Sequence, residues 1–103
     1  MIIEVRNYKA KMALYRLPAE RYRELRQYCL NSGRNERLTI ETALCNAFGD
    51  DGITPYILKH VVSTDYRWSR LEAEQIPCSR DTFCLYRAKF YSELDKLVKR
   101  GGH

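Results

Sequence analysis

The sequence predicts an all-α fold: a compact bundle of about five helices ending in a helix-turn-helix with a long last helix. Three observations predict it. Apolar residues recur three and four apart along most of the chain. No convincing run of strict alternation, the mark of a half-buried strand, interrupts them. Proline and glycine fall between the apolar stripes rather than within them. At 103 residues and 45% hydrophobic content the chain is one domain's worth, able to build one modest core.

The elements follow in order. Ile2, Ile3 and Val5 make the start apolar, as either a strand or a flexible end. Tyr8 to Leu17 carries a weak helical signal at Met12 and Tyr15, and Pro18 suits the first turn of the next helix. Tyr22, Leu25, Cys29 and Leu30 then form a helical stripe, with Arg21, Arg23, Glu24 and Arg26 off it. That stripe either closes the core or forms the interface of a homodimer. Gly33 is the expected left-handed cap, and Asn31 to Arg37 reads as a polar loop. Residues 1–37 therefore read as an N-terminal basic segment and helix, in the manner of an arm, before a helical domain at 38–103. The two together make one compact unit.

Thr39 is the expected cap of a short helix carrying Ile40, Ala43, Leu44, Ala47 and Phe48, stopped by Gly49. Asp50, Asp51 and Gly52 form a turn, and Thr54-Pro55 opens a helix bearing Ile57, Leu58, Val61 and Val62. Asp65 is the expected cap of a helix through Trp68, Leu71 and Ala73 to about Gln75. The last helix runs from Arg80 to Lys99, with Phe83, Tyr86, Phe90, Leu94 and Leu97 inward and Gly101-Gly102 ending it.

Charge is unevenly spread. Residues 1–37 carry nine Lys/Arg against four Asp/Glu, residues 38–64 one against three, and residues 65–103 eight against six. The net +5 is compatible with a phosphate-bearing partner, and equally with a solvated surface. No apolar run reaches the length of a membrane span, and the start lacks a signal-peptide pattern, so a cytoplasmic protein is expected. Cys29, Cys45, Cys78 and Cys84 lack C-x-x-C spacing and the histidines lack zinc-finger spacing, so no metal or other cofactor is expected.

Residues 69–88 (SRLEAEQIPCSRDTFCLYRA) carry the functional argument. Ala73 is small where two crossed helices meet, and Ile76, Cys78, Phe83 and Tyr86 fall at inward positions. Pro77 stands where the turn usually favours glycine. Glu72 stands where an apolar residue is usual, and a slight rotation lets Leu71 replace it. Ser79 is positioned to cap the second helix. This is the pattern of a helix-turn-helix, whose second helix enters the major groove of double-stranded DNA. On that reading Ser79, Arg80 and Thr82 lie at the helix end that meets the bases. Arg80 has the fork that matches guanine. Arg87 and Lys89 reach phosphates, and Arg67 and Arg70 flank the helix that crosses the backbone.

Ile76, Pro77, Ser79, Arg80, Thr82, Phe83, Tyr86, Arg87, Lys89 and Leu94 resemble the I-P-x-S-R-x-T-[FY] pattern and following positions of small phage and prophage proteins of Gram-positive bacteria. These include late transcription regulators of the ArpU and RinA type, which end in a helix-turn-helix like sigma-factor region 4. The resemblance covers Tyr56 to Val98. It implies a DNA-binding regulator of transcription encoded by a phage or mobile element. The alternative is a non-enzymatic adaptor that binds RNA polymerase or a packaging protein through the acidic middle, Glu41, Asp50 and Asp51. An enzyme is not expected: His60 sits alone in an apolar helix, and no nucleophile, acid pair or phosphate loop has workable spacing.

Overall fold

The computed structural model describes residues 8–49 and 51–102. The protein is 75% helical, without strands among the described residues. Among the described residues six helices follow one another: α1 (Tyr8–Leu14), α2 (Ala19–Leu30), α3 (Arg34–Phe48), α4 (Thr54–Val62), α5 (Trp68–Ala73) and α6 (Arg80–Gly102). The all-α expectation holds, with one helix more than foreseen. Met1 to Val5, Asp50 and His103 lie outside the described residues.

The longest helix forms the centre. α3 lies against α6 most extensively, and α1 and α2 also pack on it, while α4 is held by α2 and α3. Phe83, Phe90, Tyr91 and Leu94 of α6 are buried together with Leu25, Cys29, Ile40, Leu44, Ile57, Val61 and Leu71. Each large side chain sealed in this way contributes about 1.5–3 kcal/mol relative to exposure. The α2 stripe thus faces the common core. The radius of gyration, 13.3 Å, matches one folded unit of this length.

Several expected boundaries are corrected. Gly33 is not a left-handed cap: its φ is −94°, and it precedes α3. α2 ends instead at Asn31, whose N–H donates to the Gln27 carbonyl at 2.9 Å. Residues 34–37 are helical rather than loop, so Thr39 lies inside α3 and caps nothing. The apolar stripe beginning at Ile40 gave no sign of this polar first turn. Thr54 is the first residue of α4, and its hydroxyl, though buried, makes no hydrogen bond among the described residues. Asp65 is not a cap either: its N–H donates to Ser63 Oγ at 3.1 Å, and α5 starts later, at Trp68. Glycines 101 and 102 do not stop α6, which includes both.

Candidate nucleic-acid interface

The turn between α5 and α6 is built from backbone chemistry. Ile76 N–H donates to the Leu71 carbonyl at 3.1 Å and Gln75 N–H to the Glu72 carbonyl at 3.0 Å. With Gln75 at φ +62°, this is a Schellman ending, in which the helix's free carbonyls are satisfied by a left-handed residue and its successor. Leu71 and Ile76, the residues that close such an ending with an apolar contact, are both buried. Ser79 then opens α6 as expected: its Oγ accepts from the Thr82 N–H at 3.2 Å and donates to Thr82 Oγ1 at 3.0 Å.

The packing of α5 departs from expectation at one residue. Leu71 is fully buried and Glu72 exposed, so the rotation anticipated at this position occurs. Two residues on, the helix has turned by about 200°, which leaves Ala73 exposed rather than pressed against α6. α5 instead meets α6 through Trp68, whose ring lies 5.3 Å from that of Phe83. Cys78 and Tyr86 are half-buried, Tyr86 against Phe48 at 5.4 Å.

The candidate contact residues do not all reach one surface. Arg67, Arg70 and Arg80 are exposed, the first at the N-cap of α5, the second in its last turn and the third opening α6. Arg70 stacks over the Tyr66 ring at 4.4 Å and pairs with Glu74 at 3.5 Å. Lys59 reaches the same carboxylate at 3.1 Å. Ser79 and Lys89 are half-buried. Thr82 is corrected: at 1% exposure its side chain lies inside the protein beside the cap, out of reach of a base. Arg87 is half-buried, and its Nη1 donates to His60 Nε2 at 3.3 Å.

That contact fixes the imidazole. The Tyr66 carbonyl can only accept, so His60 Nδ1 carries the proton and donates to it at 2.8 Å. Nε2 is then the acceptor that Arg87 needs. Burial pushes the His60 pKa down; the Tyr66 carbonyl pulls it up, Arg87 and Arg26 push it down again, and the result lies below the ordinary histidine value. His60 is a neutral spacer that steers Arg87, and the single-residue reading of an apolar helix had no way to show its partner 27 residues away.

Beyond its first turn α6 offers little to a groove. Leu85 is buried, and positions 86 to 89 are half-covered. Among the described residues no group of three His, Cys, Asp or Glu is placed to hold a metal ion, and no helix is long and apolar enough to cross a membrane. All four cysteines are free thiols, with Cys29 buried and its pKa pushed by burial to about 12, the nearby Arg37 charge opposing. No family model matches the chain, and neither a curated protein nor a solved structure is found to match it.

Proposed function

We propose that this chain is a non-enzymatic protein that binds double-stranded DNA and holds it mainly by its phosphates. One observation carries the reading. Arg67, Arg70 and Arg80 are all exposed, Arg67 at the N-cap of α5, Arg70 in the last turn of that short helix, and Arg80 at the first position of α6. Arg67 and Arg80 enter no ion pair among the described residues. Exposed guanidinium groups suit a phosphate backbone, and base reading falls to Arg80 alone. Sequence preference is correspondingly weak. A role in transcription, and a phage or mobile-element setting, is supported by the residues from Ile76 to Leu94 that carry the resemblance.

The test is fluorescence anisotropy with mixed-sequence duplex DNA across a salt series. Binding that weakens steeply with salt is expected, and each phosphate-binding arginine removed lowers the log–log slope by about 0.9. Absence of binding at low salt, or an unchanged slope in a folded R67A/R70A/R80A variant, overturns the reading.

The adaptor reading is favoured by a different observation. A cleft of about 480 Å³ between α3 and α4 is lined by Glu41 and Asp51 beside Leu44 and Leu58. That is an acidic rim around an apolar floor, suited to a basic, apolar segment of RNA polymerase or another protein. Retention of such a partner by wild type but not by E41K/D51K, two exposed positions, with no DNA binding, selects it.

A further inference from the structure

A second basic site lies away from the exposed start of α6. Between α2, α4 and α6 is a recess of about 80 Å³. Three guanidinium groups line it, each from a different part of the chain: Arg26 from α2, Arg67 just before α5, and Arg87 from α6. Among the described residues no carboxylate lines it. Arg26 and Arg67 enter no ion pair with any described residue. Arg87 is aimed by His60, which is itself held by the Tyr66 carbonyl. Both Arg26 and Arg87 lie near enough to the half-buried His60 ring and the buried Tyr91 hydroxyl to lower the pKa of each.

Three like charges around a small recess repel one another unless an anion lies among them. Paired N–H donors of a guanidinium match the oxygen spacing of a phosphate, and donors from three directions match its tetrahedral shape. The recess is small, about 80 Å³, which suits a compact oxyanion.

We infer that this recess binds a phosphate dianion, either inorganic phosphate or the terminal monoester phosphate of a larger molecule. The inference does not rest on the DNA reading, and only Arg67 is shared with the exposed arginines that carry that reading.

The experiment is a titration of the full chain with inorganic phosphate, followed by calorimetry and by the NMR titration of the His60 ring, against chloride at equal ionic strength. Saturable binding to phosphate and a rise in the His60 pKa are expected, because a dianion in the recess offsets the Arg87 and Arg26 charges that lower it. R26Q/R67Q, at two exposed positions, is expected to weaken binding at least tenfold while leaving the circular dichroism unchanged. If that pair fails to fold, R67Q alone is the reporter. No response beyond that to chloride, or undiminished binding in the folded variant, overturns the inference. Adenosine 5′-monophosphate separates the sources: tighter binding than phosphate assigns the site to the end of a larger ligand, and equal binding to the free anion, both supporting it. A negative result leaves the DNA salt series to be read through Arg70 and Arg80, the two of its three arginines that lie outside the recess.

Discussion

Replacing Gln75 by glycine is expected to stabilise the protein. Gln75 is the sole described non-glycine residue with positive φ, at +62°. A side chain held there costs about 1–2 kcal/mol, because Cβ crowds the following carbonyl oxygen. Glycine escapes that cost but loses more freedom on folding, which returns about 0.4–1 kcal/mol. The Gln75 side chain is exposed and makes no hydrogen bond among the described residues, so nothing else is lost. The net gain is about 0.5–1 kcal/mol, which for a domain of this size raises the midpoint of thermal unfolding by about 3–5 °C. The assay is unfolding by heat and by urea, followed by circular dichroism. Two controls isolate the backbone effect. Q75A keeps the strained conformation and is expected to change little. G49A introduces the strain at φ +60°, where an added Cβ meets no atom within 4 Å, and is expected to destabilise by about 1–3 kcal/mol. A neutral or destabilised Q75G beside a destabilised G49A would refute the argument that this turn is held under strain.

Two further outcomes are expected. His60 titrates below its ordinary value in the folded protein, so between that lowered value and about 6.5 the unfolded chain binds more protons. Stability therefore falls as pH drops through that window, and H60Q should flatten the slope in urea unfolding between pH 8 and pH 5; an undiminished slope assigns it to another group. Asp95 behaves as a carboxylate with a lowered pKa: burial raises it, but hydrogen bonds from Arg21 and Lys99 more than offset that. Its stabilisation is present above the ordinary carboxylate pKa and is lost as pH falls through the lowered one. D95A is expected to cost about 2 kcal/mol, and a double-mutant cycle with R21A should show coupling; additive losses would mean the pair contributes nothing.

What the sequence disclosed depended on whether the signal was local. The stripes at Tyr22–Cys29 and Phe83–Leu94, and the cap at Ser79, rest on neighbours within two turns, and the structure places them as read, with Leu30 only half-buried. Gly33, Thr39 and Asp65 failed for one reason: each is a residue type fit for a cap, but several such residues stood close together, and packing chose among them. The left-handed position at the α5–α6 turn fell on Gln75 rather than on the proline two residues later, and no propensity marks a glutamine for it. Asp95 was invisible because its partner Arg21 is 74 residues away. Arg26 stood off the apolar stripe and is exposed, and only the fold shows that it lines a recess with Arg87 from the far end of the chain.

The central place of α6 sets the order in which this molecule can acquire its shape. α1, α2 and α3 all bury apolar surface against a helix that follows them in the chain. While synthesis proceeds, at about 5–20 residues per second, those segments leave the ribosome without the partner that covers them. Their greasy faces stay open to chaperones and to one another until the last stretch emerges. A chain cut before Arg80 would keep five of its helices and lose the surface that most of them pack on. Premature termination should therefore yield a species fit for proteolysis rather than a smaller working domain.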